Sequence, residues 1–108
     1  MVRQVTAQIP IPEDKIDNFC RKWGVKKLEL FGSVLRDDFD PERSDIDIMV
    51  TLSPERSYTL FDIVHMEEEL ATLLGRPVHL TERSTVETSE NYIRRESILS
   101  EAQLVYER

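Results

Sequence analysis

Apolar residues Ile16, Phe19, Cys20 and Trp23 recur at i, i+3, i+4 and i+7, a spacing that predicts a helix from about Pro12 to Trp23 with one buried stripe. Pro12 suits the first turn of that helix and Gly24 closes it. The preceding residues, 1 to 11, form a polar lead with Ile9 and Ile11 beside prolines. Leu28, Leu30 and Phe31 then predict an apolar strand over about 25–31, and the chain turns through Gly32-Ser33 into a short helix, about 33–38. After the loop Asp40-Pro41-Glu42-Arg43-Ser44, the alternation of Asp45 and Asp47 with Ile46, Ile48 and Val50 predicts a strand over 45–52 with both carboxylates on one face. A turn-rich loop, Ser53 to Ser57, leads into the longest helix, about 59–74, whose apolar face is Leu60, Ile63, Val64, Leu70, Leu73 and Leu74. The run Glu67-Glu68-Glu69 and His65 belong to its solvated side. Gly75 precedes a third strand, about 77–81, with Val78 and Leu80 facing the core. A helix over 90–101 and a strand over 103–106 close the chain. This αβαβαβαβ order predicts an α/β (α+β) fold, a small mixed β-sheet covered by helices.

A chain of 108 residues is expected to form a single domain, 1–108, with a real core but no separate substrate domain. Recognition of any acceptor would then fall to a partner. The balance of 14 basic to 21 acidic residues leaves a net charge of −7, which opposes sequence-independent binding to nucleic acid through phosphates, so direct nucleic-acid binding is not expected. Such a charge suits a basic protein partner, and it is also an ordinary solubility device. The lone cysteine, Cys20, cannot form an internal disulfide and sits on the core stripe of its helix, so it reads as a small hydrophobe. No signal-like segment opens the chain and no apolar run approaches the roughly 18 residues needed to span a bilayer, which predicts a cytoplasmic protein without a membrane partner.

Chemistry concentrates between Leu28 and Val50. Glycine at position 32 lets the backbone come close to a ligand, and amides at the start of the following helix carry partial positive charge, as a phosphate cradle requires. Ser33 adds both an amide and a hydroxyl for phosphate oxygens. Twelve positions on, the Asp45 and Asp47 carboxylates make a hard oxygen site suited to Mg²⁺, which takes its remaining ligands from water and substrate phosphates. A cradle and a carboxylate pair in this order read as a nucleotidyl-transfer site acting on a nucleoside triphosphate.

The pattern Gly32-Ser33, Arg36, Ser44-Asp45-Ile46-Asp47 resembles the signature of the DNA polymerase β nucleotidyltransferase superfamily, in particular its minimal nucleotidyltransferases (MNT), short proteins typically encoded beside a HEPN-domain partner. Leu74-Gly75-Arg76-Pro77-Val78 and the tail from Tyr92 to Glu107 are similar to the family's third strand and closing elements. The resemblance implies an antitoxin of a HEPN/MNT toxin–antitoxin pair that transfers AMP from ATP to a hydroxyl, a tyrosine in studied systems, of the HEPN toxin. It also implies a phosphate or site-organising role for Arg36, which could otherwise pair with Asp37 or Asp38, while Ser44 caps or orients the nucleotide-side loop.

One position departs from the pattern. The family carries a third carboxylate on the strand after Gly-Arg-Pro-Val, to bind a second metal and draw the acceptor's proton; here that residue is His79. Imidazole can accept a proton near neutral pH but is a poor Mg²⁺ ligand. Glu82, three residues on, is expected to lie beyond the strand end. Two functions therefore compete: an enzyme using Asp45, Asp47 and His79, or a catalytically weak nucleotidyltransferase-fold module that neutralises its HEPN partner by occlusion. A drug-modifying transferase fits less well, since that chemistry needs a second domain to hold the drug.

Overall fold

The computed structural model describes residues 10–35, 40 and 45–108. Helix α1 (Glu13–Trp23) has Pro12 as N-cap, Glu13 and Asp14 in its first turn and Arg21 and Lys22 in its last, charges that complement the helix dipole at both ends. It buries Ile16, Phe19 and Cys20, and the Gly24 amide caps the Cys20 carbonyl. Strand β1 (Val25–Phe31) runs directly into a 3₁₀ helix, Gly32–Leu35, so helix begins at the glycine itself. The later part of the expected 33–38 helix, with Arg36, lies outside the described residues, as does Ser44.

Strand β2 (Ile46–Leu52) starts one residue later than expected, leaving Asp45 exposed just ahead of it. Helix α2 (Leu60–Leu74) opens on a capping box: the Asp62 amide donates to Thr59 Oγ1 at 3.2 Å and the Thr59 amide to Asp62 Oδ2 at 2.8 Å. β3 (Val78–Glu82) follows, then a five-residue helix, α3 (Arg83–Glu87), which periodicity does not reveal because Val86 is its only apolar residue. Helix α4 (Tyr92–Glu101), capped by Asn91 Oδ1 accepting from the Arg94 amide, leads to β4 (Gln103–Glu107).

The strands form one mixed sheet in the order β3-β2-β1-β4. β1 pairs antiparallel with both β2 and β4, and β2 pairs parallel with β3 across the α2 crossover. One sheet face carries Leu28, Leu30, Ile46, Ile48, Val50, Val78 and Leu80 against Ile16, Phe19, Met66 and Leu70 of α1 and α2. On the other, Phe31 and Met49 pack with Val86, Ile98, Leu99 and Ala102 from the α3–α4 side. Among the described residues no helix is long and apolar enough to cross a membrane.

Two expectations for α2 need correction. Leu60 and Val64 do not pack: they are 78% and 44% exposed, and with Phe61 they form an apolar patch on the first turns of the helix, whose buried stripe runs through Met66 and Leu70. Nor is the glutamate run simply solvated. Glu67 Oε2 accepts from the Leu80 amide at 2.9 Å, and Glu69 accepts from Lys22 Nζ at 3.1 Å and from Trp23 Nε1 at 2.8 Å, tying α2 to β3 and α1. His65 is exposed, as expected.

Candidate active site

Three residues on one rung of the sheet build the centre of the site. Phe31 at the end of β1 pairs with Asp47 of β2, and Asp47 pairs with His79 of β3, so their side chains share the α3–α4 face. His79 Nδ1 lies 3.8 Å from Asp47 Oδ1, close enough for electrostatic coupling but beyond a hydrogen bond. The His79 side chain is 63% exposed and that of Asp47 31%.

Gly32 follows Phe31 with φ +78°, and a Cβ built there would stand 2.5 Å from Asp47 Oδ2. The glycine is required twice over, by its left-handed backbone and because the Asp47 carboxylate occupies the space a side chain would need. Val34, fully buried, anchors the 3₁₀ helix in the core, while Ser33 stays half-buried.

Two adjoining cavities open over this rung. One, of about 550 Å³, is lined by Gly32 and Asp47 from the sheet side and by Asn91, Ile93, Arg94 and Ser97 from α4 and its cap. The other, of about 300 Å³, is lined by His79, Thr81, Thr85, Val86, Arg94 and Arg95, among others. Phe31, Arg94 and Ile98 line both. Neither Ser33 nor Asp45 is among the lining residues. Glu82, expected beyond the strand end, is instead the last residue of β3; it pairs with Val50, three rungs from Asp47, and does not join the site.

Sequence reasoning missed the contribution of α4, above all Arg94. Its signal was present, a basic pair in the first turn of a closing helix, but nothing in the sequence folds that helix over Asp47. It also missed Glu29, one turn of alternation before Phe31 on the same face. This buried carboxylate receives Arg83 Nη1 at 2.7 and 2.8 Å, bonds that push the guanidinium further above its usual value, so Glu29 is committed to Arg83. Cys20 is buried in the opposite core, where desolvation pushes its thiol up to about 12, in keeping with an inert packing residue.

Among the described residues no three His, Cys, Asp or Glu side chains gather as a metal-binding group. Mg²⁺ is commonly held by one or two carboxylates with substrate phosphates and waters completing its octahedron, and Asp47 in the cleft with Asp45 just ahead of β2 are the residues that could supply them. The family model of the nucleotidyltransferase domain matches residues 13–105, across every strand of the sheet and both aspartates.

The chain belongs to the nucleotidyltransferase domain family. No curated protein matches it. Among solved structures, this nucleotidyltransferase is similar to a toxin–antitoxin structure with AMP-PNP, at TM-score 0.66 and 19% identity over 91% of this chain and 75% of that one. It is similar to tri-AMPylated Shewanella oneidensis HEPN toxin in complex with MNT antitoxin, at TM-score 0.57 and 19% identity over 89% and 70% of the two chains. It is also similar to a minimal nucleotidyltransferase, at TM-score 0.64 and 28% identity over 84% and 86%. The four-stranded mixed sheet with its covering helices is thus the nucleotidyltransferase core.

Proposed function

We propose that this nucleotidyltransferase is a cytoplasmic antitoxin that transfers AMP from ATP, with Mg²⁺, to a hydroxyl of a HEPN-type partner protein. The observation that carries this is the seating of the Asp47 carboxylate against Gly32 at the mouth of a cavity, which joins the phosphate turn to the metal-binding acid. Asp45 and Asp47 would hold the ion, and the Gly32-Ser33 amides and the Ser33 hydroxyl would bind the phosphates. Bound Mg²⁺ would neutralise charge on the triphosphate. The acceptor oxygen attacks the α-phosphorus; the bond from that phosphorus to the bridging oxygen breaks, pyrophosphate leaves, and the acceptor's proton passes to His79 or to solvent. His79, beside Asp47 and largely exposed, is accessible to an incoming hydroxyl. Arg36 and Ser44 are assigned to the nucleotide side on the family pattern alone.

A second function, occlusion of the partner without turnover, is favoured by His79 itself: it faces Asp47 at the position of the family's third acid and adds no oxygen ligand. Mass spectrometry of a co-purified HEPN protein after incubation with ATP and Mg²⁺ separates the two. A mass gain of one AMP, lost in the Asp47→Asn variant, is expected for the transferase. A stable, inhibited complex with no adduct would establish the occluder instead.

A further inference from the structure

Of the three residues that line both cavities, Arg94 alone is charged. It lines the cavity that contains Gly32 and Asp47 and also the cavity that contains His79, so its side chain stands between the two halves of the rung. Its neighbours on this face are committed: Arg83 is held by Glu29 and Glu87, and Arg95 donates Nη1 to the Ser89 carbonyl at 2.9 Å and lies 3.7 Å from Glu96. Arg94 enters no side-chain hydrogen bond or ion pair among the described residues, and its backbone is pinned by the Asn91 cap. Arg94 is solvent-exposed, so its charge is open to a ligand entering the cavity that Asp47 lines.

We propose that Arg94 is a triphosphate-binding residue: its guanidinium takes the β- and γ-phosphates of the nucleotide, across the cleft from the Gly32 turn. This rests on the nucleotidyltransferase function proposed above and deepens it by assigning the far side of the phosphate site to α4. The chemistry suits the position. A guanidinium presents a planar fork of donors that matches phosphate oxygens, keeps its charge at every relevant pH and stabilises pyrophosphate as it departs. With His79 contributing no carboxylate, the site carries fewer negative groups than the family pattern supplies. A fixed organic cation on α4 then provides charge neutralisation at the leaving group without relying on a further metal ligand.

The test is titration calorimetry of ATP and of inorganic pyrophosphate, each with Mg²⁺, against the parent chain, Arg94→Ala, Arg94→Gln and Arg94→Lys. Arg21→Ala serves as control, removing the same charge from α1 on the opposite side of the sheet, where Arg21 pairs with Asp17. Loss of a charge-assisted phosphate contact is expected to weaken both ligands roughly 10- to 100-fold in Arg94→Ala and Arg94→Gln. Arg94→Lys recovers part of the loss, because it keeps the charge but not the fork. Arg21→Ala binds as the parent does. Thermal melting keeps the comparison to folded protein, and the longer, polar glutamine variant guards against a packing effect of alanine. Parent-like affinity in Arg94→Ala and Arg94→Gln would overturn this assignment alone, and so would an equal loss in Arg21→Ala. Absence of ATP binding by the parent would overturn it together with the transferase function.

Discussion

Asp47 and His79 are register partners on adjacent parallel strands, with Oδ1 and Nδ1 3.8 Å apart. Asp47 therefore stands between Phe31 on β1 and, on β3, a side chain that Mg²⁺ accepts poorly. Replacing it with a carboxylate would set a second acid beside Asp47 on the same rung, with Asp45 just ahead of β2. His79→Asp is expected to raise the rate of AMP transfer to the HEPN partner by about tenfold or more, up to the roughly 100- to 10,000-fold that a positioned acid or base contributes. His79→Ala should fall below the parent if imidazole serves as the base. Adduct formation followed by mass spectrometry gives all three rates, and equality among them would show that His79 takes no part in the chemistry.

The glycines at 32 and 75 allow strain to be separated from obstruction. Both have positive φ, +78° and +72°, but a Cβ at Gly75 meets nothing within 4 Å whereas one at Gly32 meets Asp47 Oδ2. Gly75→Ala should cost about 1–2 kcal/mol from its backbone alone and leave ATP binding unchanged. Gly32→Ala should cost at least as much and also displace the Asp47 carboxylate, lowering ATP affinity roughly tenfold or more. Thermal melts and calorimetry on the pair decide this; unchanged nucleotide affinity in Gly32→Ala would separate the turn from the acid.

Cys20 links stability to alkaline pH. Burial, the first cause of its shift, raises the thiol from 9.0 to about 12 in the folded chain. Between those values the unfolded chain sheds a proton that the native chain keeps, so this group's contribution to stability is intact below about pH 9 and declines as pH rises towards 12. Native protein at pH 8 should resist iodoacetamide, and denaturant should expose the thiol to rapid alkylation. Fast labelling of the native chain would show that the core opens readily.

The first turn of α2 should be expendable to folding. Phe61 is 77% exposed, so Phe61→Ser is expected to change stability by no more than about 0.5 kcal/mol. Leu70, fully buried on the same helix, should cost about 2–5 kcal/mol as Leu70→Ala. Chemical denaturation compares the two, and a loss near 2 kcal/mol for Phe61→Ser would mean that the patch is covered in solution.

Elements with a clear period were legible before any coordinates: the i, i+3, i+4, i+7 stripe of α1, the alternation opening β2 and the turn glycines each report a local requirement of the backbone. Leu60 and Val64 were misplaced because periodicity defines the stripe on a helix but not how far the sheet extends beneath it. Glu67 and Glu69 looked solvated for a related reason: their partners, the Leu80 amide, Lys22 and Trp23, are brought to them only by packing. For the site, Gly32 and Asp47 stood out by residue type and spacing and His79 only through the family resemblance, while Arg94 did not stand out at all. Its position opposite Asp47 depends on α4 crossing the sheet, a relationship with no local trace.

The bond from the Leu80 amide to Glu67 has a consequence for the chain's life in a crowded solution. β3 is the outer strand on its side of the sheet, and an outer strand offers a row of unpaired amides to any extended peptide that passes. Here one of those amides, midway along a strand of five residues, is already taken by a carboxylate from the overlying helix. A visiting strand would have to displace a charged acceptor and leave it without its donor before adding a rung. The same glutamate that fastens α2 to the sheet thus also occupies the middle rung of that edge.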